Sequence, residues 1–534
     1  MGVSVPHSWR QAGMSRNYNR REFCLAGSMV TATRSPKVRK PNFLFLLADD
    51  HTAHVLGADG NRLAVTPNLD RLASQGTRFA RHYCNAPVCT PSRQSLLTGQ
   101  LPHMAGVTRL PTPLDPNKPT LAKQFRADGY HTAVFGKMHF NRPAAPGLHG
   151  FETMMTEGEL AAAWKSAVRP SPIPEGLPIQ PEWRPFRDPA SVWLNSSKLP
   201  VGRTAAEMKA TFLADQAIAF MKAHRSEPFA LWASFHEPHS PFDFPIEFCS
   251  LFDPAQFPAP PIEKADRPRI PLVFQDLTPE QRSGIRAAYY TSVAFLDQSI
   301  GRILHALEAL GLDENTLVVY TSDHGYMLGE HGRFEKHCGY DQALRVPLFF
   351  RWKGRIRPRV VSEFTEHVDV APTVLELLGL EPLPVQHGNS LRTYLEDAQP
   401  RKPRPYIFSE YLENEEAYLR TRDYKYVLCS GNRRRTDGYE TSSPTPGTYE
   451  LLFDLRDDPS ESHDIAARPD VVQELRHRLL HRFRGTHPES ALEPTGLSEL
   501  EAICFYLHPR DVALPYRLPA GREEGIQTRE RDKP

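Results

Sequence analysis

Short apolar runs recur along the first two thirds of the chain, and amphipathic segments separate them. Four runs predict buried strands, at residues 43–47, 132–135, 229–235 and 317–321. Continuous apolar runs are typical of parallel strands that are covered on both faces. Apolar residues at helical spacing between residues 293 and 307 predict a helix on one face of the sheet. The pattern therefore predicts an α/β fold.

Polar residues follow each of these four runs within a few positions. They are Asp49 and Asp50, Lys137 and His139, His236, and Asp323 and His324. Open α/β sheets place their ligand sites at the carboxyl ends of the strands. An isolated histidine or lysine is more often a surface or core residue, but the repetition after four strands favours one shared site.

The pattern of apolar and polar residues changes after Pro405. Short β-like segments predict a small antiparallel sheet, at residues 418–420, 424–428 and 450–454. An amphipathic helix is predicted over residues 471–483. We therefore expect a second, smaller layer of structure in the C-terminal part.

The overall composition is that of an ordinary globular protein. With 64 Lys and Arg residues against 63 Asp and Glu, the net charge is +1, so no global field favours nucleic acid. The longest apolar run, at residues 43–48, is far too short to span a membrane. A chain of 534 residues is expected to form at least two structural units.

The N-terminal residues have two open interpretations. The segment N-R-R-E-F at residues 19–23 precedes a short apolar stretch and small residues, which together resemble a twin-arginine export signal. That interpretation predicts a periplasmic or secreted protein. A disordered basic leader on a cytoplasmic protein is the alternative.

Seven cysteines show neither metal-type pairing nor an evident disulfide framework. One of them begins the segment C-T-P-S-R at residues 89–93, which runs on into L-L-T-G. A buried structural cysteine is the simplest interpretation, and a bare thiol suits attack on a sulfate ester poorly. The segment resembles the C-x-P-S-R signature of the sulfatase family. That resemblance implies that a formylglycine-generating enzyme oxidises Cys89 to formylglycine, whose hydrate attacks sulfur.

Three carboxylates, those of Asp49, Asp50 and Asp323, would raise one another's pKa if they crowded together without a cation. Oxygen ligands favour Ca²⁺ or Mg²⁺. The resemblance implies one divalent cation, for which we favour Ca²⁺, with these three residues, His324 and modified Cys89 as ligands. His324 stands where many sulfatases have asparagine, and imidazole also suits softer metals.

The same resemblance assigns the remaining catalytic groups. Lys137 and Lys336 would hold the sulfate, and Arg93 would fix the formylglycine through its planar fork. His236 would protonate the leaving oxygen. His139 would take a proton from the remaining diol hydroxyl, which expels sulfate.

The resemblance extends over residues 41–483, where an Asp-Pro-x-Glu turn at 458–461 also matches the sulfatase C-terminal subdomain. It implies an alkaline-phosphatase-like sandwich with a large mixed, mostly parallel sheet between helices and a smaller antiparallel sheet. The expected organisation is a leader (1–40), a catalytic sulfatase domain (41–400), a C-terminal subdomain (401–497) and a peripheral tail (498–534).

The expected function is hydrolysis of a sulfate ester, with sulfated carbohydrate as the leading substrate. Trp164, Trp183 and Trp193 lie in a proline-rich segment, and aromatic faces stack on sugar rings; aromatics that only anchor their own loop are the alternative. Choline sulfate and aryl sulfates stay open. Phosphonate monoester and phosphodiester hydrolases share the implied metal and formylglycine. A sulfatase-like binding protein without activity is a third alternative, against which the complete set of charged groups argues.

Overall fold

The computed structural model describes residues 39–180, 193–396, 403–431, 439–441 and 448–511. The arginine pair of the leader, Trp183 and the end of the predicted tail lie outside these ranges. From Lys40 onward the described residues belong to one compact unit, and the domain boundaries at 400 and 497 stay predictions. Among the described helices, none is both long and apolar enough to cross a membrane.

A mixed sheet of eight strands forms the core. Its strands are β1 (Asn42–Ala48), β2 (Thr77–Tyr83), β3 (His131–Gly136), β4 (Thr153–Met155), β5 (Phe229–Ser234), β6 (Thr316–Ser322), β7 (Leu348–Arg351) and β8 (Arg359–Glu366). Across the sheet they follow the order β4-β3-β5-β1-β6-β7-β2-β8, and of these eight only β7 runs antiparallel to its neighbours. The predicted large, mostly parallel sheet is confirmed, and the four predicted strands are β1, β3, β5 and β6.

The sequence of β1 shows why a continuous apolar run forms a central strand. Its seven residues are all buried. Phe43 and Phe45 point into a core on one face, whereas Leu44 and Leu46 point into a core on the other. Since side chains alternate along a strand, burial of both faces requires apolar residues at every position.

Helices cover both faces of this sheet. The helices in this part of the chain are α1 (Pro67–Ser74), α2 (Cys89–Thr98), α3 (Pro102–Ala105), α4 (Leu121–Ala127), α5 (Glu157–Ala167), α6 (Lys209–Ala223), α7 (Pro279–Ala309), α8 (Asp341–Leu344), α9 (Val370–Leu378) and α10 (Arg392–Leu395). Helices α2, α4 and α9 pack on one face, and α1, α6 and α7 pack on the other. The predicted helix over residues 293–307 is the second half of α7.

A second sheet of four antiparallel strands confirms the predicted C-terminal layer. Its strands are β9 (Ile407–Tyr411), β10 (Glu416–Arg420), β11 (Tyr424–Cys429) and β12 (Tyr449–Asp454), in the order β12-β11-β10-β9. Helices α11 (Pro469–Thr486) and α12 (Glu499–Leu507) pack against it in one apolar core. Ile503 and Tyr506 of α12 are fully buried, so the first part of the predicted tail is packed rather than peripheral.

Candidate active site

The carboxylates that were predicted to share a site come from neighbouring strands. Asp49 and Asp50 directly follow β1, and Asp323 and His324 directly follow β6. These two strands are parallel and paired along their whole length. The four residues therefore leave the sheet side by side, completely buried, and Asp323 Oδ1 accepts a hydrogen bond from the Asp50 backbone N–H at 3.2 Å.

Cys89 is the first residue of α2 and contacts this group. Its Sγ lies 3.1 Å from Lys336 Nζ, 3.2 Å from His324 Nε2 and 3.9 Å from Asp49 Oδ1. Burial raises the pKa of the thiol, and the Asp49 carboxylate adds to that effect. Lys336, Lys137 and His324 outweigh both and hold the pKa of the thiol well below its usual range. Position 89 therefore favours a negatively charged nucleophile.

Arg93 lies one helical turn after Cys89 and is completely buried. Its Nη2 is 2.7 Å from Asp49 Oδ2, and its Nε is 2.8 Å from Asp323 Oδ2. Its Nη1 donates to Ser234 Oγ at 2.8 Å, at the end of β5. A planar guanidinium thus joins the ends of β1, β5 and β6. Sequence-based reasoning assigned Arg93 to the site but did not identify Ser234 as its partner.

Two lysines complete the buried cations. Lys137 follows β3, and its Nζ lies 2.8 Å from Asp49 Oδ2. Lys336 comes from the segment after β6, and its Nζ lies 3.1 Å from Asp50 Oδ1. Burial raises the pKa of Asp49, but Lys137 and the buried guanidinium beside it bring that pKa well below its usual range. Both lysines therefore lie within the buried group of carboxylates at this edge of the sheet.

The donor set at this edge fits a divalent cation. One ligand atom from each of four buried residues lies within 4.8 Å of the others: Asp49, Cys89, Asp323 and His324. Asp50 Oδ2 is buried and, within the described part of the chain, accepts no hydrogen bond. Burial also raises the pKa of Asp323, although Arg93 opposes that rise. A cation between these carboxylates would bind the Asp50 Oδ2 atom and stabilise the negative charge of Asp323.

The two histidines that were predicted to transfer protons lie beside Lys137. His139 has a φ of 51°, and its backbone N–H donates to Glu157 Oε1 at 2.9 Å. Its ring Nε2 is 3.9 Å from the same oxygen. His236 follows β5, is half-buried and lines one cleft together with Lys137 and Glu157. His236 therefore lies beside Lys137 in this cleft, whereas His139 contacts Glu157, one of the residues that line it.

His239, which sequence-based reasoning did not select, lies within the carboxylate site. Its Nε2 is 4.0 Å from Asp50 Oδ2, and its ring centroid is 4.7 Å from that of His236. Its Nδ1 lies 2.8 Å from the Ser240 carbonyl oxygen, which leaves Nε2 directed at the carboxylate. The segment H-E-P-H at residues 236–239 contained the signal. Only the folded turn shows which of its two rings approaches the carboxylates.

The tryptophans of the proline-rich segment take different positions. Trp164 packs against the Arg203 guanidinium at 4.5 Å, and its Nε1 donates to the Glu207 carbonyl at 2.8 Å. Trp193 borders a small cleft together with Asn195. For Trp164, the contacts support the interpretation that the aromatic ring anchors its own loop.

The layered fold, with a buried set of carboxylates, cations and one cysteine at the carboxyl ends of its strands, defines a hydrolase of the alkaline-phosphatase-like α/β class. The profile of the sulfatase family matches residues 41–380, and the profile "N-sulphoglucosamine sulphohydrolase, C-terminal" matches residues 329–487. The chain therefore belongs to the sulfatase family and is a sulfuric ester hydrolase.

Individual relatives show how far the similarity extends. Choline-sulfatase of Rhizobium meliloti is 28% identical over an alignment of 461 residues, and the match covers 80% of this chain and 83% of the relative. Delta 4,5-hexuronate-2-O-sulfatase of Bacteroides thetaiotaomicron is 28% identical, over 83% of this chain and 88% of the relative. The crystal structure of phosphonate monoester hydrolase of Agrobacterium radiobacter matches with a TM-score of 0.70 and 27% identity, over 85% of this chain and 97% of that one.

Proposed function

We propose that this sulfatase removes sulfate from a sulfated carbohydrate, and that residue 89 acts as formylglycine beside one divalent cation. The position of Cys89 carries the proposal, because its Sγ lies between Lys336 Nζ and His324 Nε2 at 3.1 and 3.2 Å. An oxygen nucleophile at that position would meet an ester whose charged oxygens are drawn to the buried lysines.

Three aspartates and one histidine are proposed to hold the cation together with residue 89: Asp49, Asp50, Asp323 and His324. Ca²⁺ is our choice because carboxylate oxygens dominate this set. A bound cation would supply positive charge that polarises the ester and lowers the pKa of the attacking hydroxyl. Arg93 is proposed to keep two of the ligands in place, since it pairs with Asp49 and Asp323 at 2.7 and 2.8 Å.

The two lysines are proposed to bind the non-bridging oxygens of the sulfate. Lys137 Nζ and Lys336 Nζ each pair with a different aspartate, at 2.8 and 3.1 Å. Lys336 Nζ lies 3.1 Å from Cys89 Sγ, and Lys137 acts electrostatically on the same thiol. Because the groups are already oriented and desolvated, little reorganisation is needed when charge develops in the transition state.

Proton transfer is proposed for the histidines that follow β3 and β5. His139 is our choice for the base that releases sulfate. For the acid that protonates the leaving oxygen, the structure offers two rings in contact, His236 and His239. His236 lines the cleft with Lys137, whereas the Asp50 carboxylate orients His239. The proton is therefore proposed to come from this pair, with His236 as the first candidate because it faces the cleft.

Carbohydrate is proposed as the substrate class because one relative, which matches this chain over most of its length, is named for a sulfated sugar acid. The similarity to choline-sulfatase and to phosphonate monoester hydrolase supplies the two alternatives that a test must separate. A formylglycine-generating enzyme is the proposed maturation partner. The arginine pair of the leader supports a proposed periplasmic or secreted location.

The test is an assay of enzyme that was co-produced with a formylglycine-generating enzyme. Sulfate monoesters, phosphate monoesters and phosphonate monoesters of the same alcohol give a matched comparison of kcat/KM. Defined sulfated sugars, choline sulfate and an aryl sulfate then give the substrate class. We expect the sulfate ester to have the highest kcat/KM in the first comparison, and a sulfated sugar to have the highest kcat/KM in the second. Preference for the phosphonate, or no turnover of any ester by protein that carries formylglycine, would contradict the proposal.

A further inference from the structure

A second cluster of metal-ligating side chains lies at the opposite edge of the large sheet. His131 begins β3, His224 directly follows α6, and Glu227 lies in the turn between α6 and β5. Lys137, at the active site, follows the other end of β3. The six residues of β3 separate the two edges by roughly 16 Å, at about 3.3 Å per residue. The cluster is therefore distinct from the active site.

We propose that His131, His224 and Glu227 form a binding site for a borderline divalent metal ion of the Zn²⁺ type. Glu227 Oε2 lies 3.2 Å from His131 Nε2 and 3.7 Å from His224 Nδ1. The two imidazole rings face each other with their centroids 4.5 Å apart. One ligand atom from each residue lies within 4.8 Å of the other two.

These separations match tetrahedral coordination. Zinc binds imidazole nitrogen and carboxylate oxygen at about 2.0–2.2 Å, which places neighbouring ligand atoms about 3.4 Å apart. The observed 3.2 and 3.7 Å lie on either side of that value. Small side-chain rotations would therefore complete the three-ligand set. The fourth position faces solvent, because the three side chains are 40, 26 and 59% exposed.

A carboxylate behind the cluster supports the assignment. Glu152 Oε2 lies 3.7 Å from His131 Nδ1, the ring nitrogen that does not face Glu227. Histidine ligands commonly donate their second ring N–H to such a carboxylate, which fixes the tautomer and raises ligand basicity. Arg126 in turn lies 3.6 Å from Glu152 and would hold it in place.

The ligand types select the metal. Two imidazoles and one carboxylate suit Zn²⁺, Cu²⁺ or Ni²⁺, whereas Ca²⁺ and Mg²⁺ prefer all-oxygen sites. A bound ion would link the start of β3 to the end of α6 and the turn after it. We therefore expect metal binding to stabilise this edge of the fold.

Zinc binding to the calcium-loaded protein tests the proposal, with bound zinc counted by calorimetry and by elemental analysis after gel filtration. Wild type should bind one zinc ion more than His131→Asn or Glu227→Gln, and zinc should raise the Tm of wild type more than that of these two variants. Glu152→Gln should retain the site with about 10- to 100-fold weaker binding. Counting the difference between variants removes any zinc that enters the active site.

His477→Asn is the matched control. His477 Nδ1 lies 2.7 Å from Glu499 Oε1 in an exposed histidine–glutamate pair. Within the described part of the chain, this pair does not belong to any cluster of three potential metal ligands. This variant should bind as much zinc as wild type. Glu227, which is 59% exposed, can be replaced with little risk to folding, so it decides the matter if His131→Asn fails to fold. Equal zinc stoichiometry in wild type and a folded Glu227→Gln variant would overturn the proposal.

Discussion

Two clusters of buried and half-buried charges among the described residues differ in how completely their charges are paired. The active-site cluster comprises Asp49, Asp50, Cys89, Arg93, Lys137, Asp323, His324 and Lys336. The subdomain cluster joins α8 to the small sheet and comprises Asp341, Arg345, Arg420, Lys425 and Glu461.

In the subdomain cluster each carboxylate oxygen has a partner. Glu461 Oε1 lies 2.7 Å from Lys425 Nζ, and its Oε2 accepts the Asp341 backbone N–H at 3.2 Å. Asp341 pairs with Arg420 at 3.0 Å through one oxygen and with Arg345 at 3.5 Å through the other. Burial raises the pKa of Asp341, but Arg420, Lys425 and Arg345 together hold it below its usual range.

The active-site cluster is incomplete by comparison. Its Asp50 Oδ2 accepts no hydrogen bond from the described residues, and its lysines and His324 converge on a single thiol. Buried ion pairs alone therefore do not distinguish a catalytic site from a structural one. What distinguishes the catalytic site is a carboxylate oxygen that accepts no hydrogen bond from the described residues, together with a nucleophile whose pKa is lowered. The contrast implies that changes in the first cluster reduce activity, whereas changes in the second reduce stability.

The largest expected effect is that of Cys89→Ser. Under aerobic maturation this variant should lose nearly all sulfatase activity, because the aldehyde would no longer form. Its Tm should stay close to that of wild type, since serine is similar in size to cysteine and its hydroxyl can still accept a hydrogen bond from Lys336. Activity assays, peptide mass spectrometry of residue 89 and thermal unfolding check these points. Cys249→Ser, at a half-buried cysteine away from α2, is the control and should remain active. Full activity with an unmodified thiol at residue 89 would refute the prediction.

Asp323→Ala is expected to remove metal and activity together. It deletes a proposed ligand and also one partner of Arg93, at 2.8 Å. Elemental analysis and kinetics on the same preparation measure both losses. Asp215→Ala removes an exposed carboxylate that pairs with Arg302, so it should keep metal and activity. A metal-free wild type with full activity would count against the proposed role of the cation.

Replacing the two histidines after β5 should separate their roles. If His236 is the acid, His236→Ala should slow an unactivated alkyl sulfate by about 10²- to 10⁴-fold and affect an activated aryl sulfate much less, because phenolate leaves without help. His239→Ala serves as the matched comparison, since the rings lie 4.7 Å apart. Steady-state kinetics on both esters give the two ratios. A selective loss in His239→Ala instead would move the role to that residue, and equal losses on both esters would exclude His236.

The sequence predicted four adjacent strands of the large sheet, the second to the fifth in its order, because those strands are buried on both faces. β1, β3, β5 and β6 are nearly continuous apolar runs. β2, with the sequence T-R-F-A-R-H-Y, and β8 lie toward one edge, and each carries partly exposed side chains. β4 and β7 have only three and four residues. Mixed or short segments give no periodic signal, so these strands could not be identified without the tertiary contacts.

Within the site, the predictable residues were those that directly follow an apolar strand or match the cysteine signature. His239 and Ser234 were missed for different reasons. The choice between His236 and His239 depends on the path of one turn. A serine at the end of a strand, such as Ser234, carries no distinctive sequence signal. Its role is recognised only in the folded structure, where Arg93 of α2 donates to its Oγ at 2.8 Å. Side-chain convergence from separate elements has no local sequence signal.

Lys425→Met, in the subdomain cluster, is expected to have the smallest effect on catalysis. It should nevertheless clearly reduce stability. Lys425 and Glu461 are both almost completely buried, so loss of the ammonium group leaves an uncompensated carboxylate. Breaking a buried pair in this way costs about 3–5 kcal/mol. Urea unfolding should show that loss, while kcat of the folded protein stays at the wild-type value because Lys425 belongs to the structural cluster. The double variant Lys425→Met/Glu461→Gln should recover most of the stability, since the glutamine can still accept the Asp341 N–H. If the double variant is as unstable as the single one, or if kcat falls with stability intact, the separation of the two clusters fails.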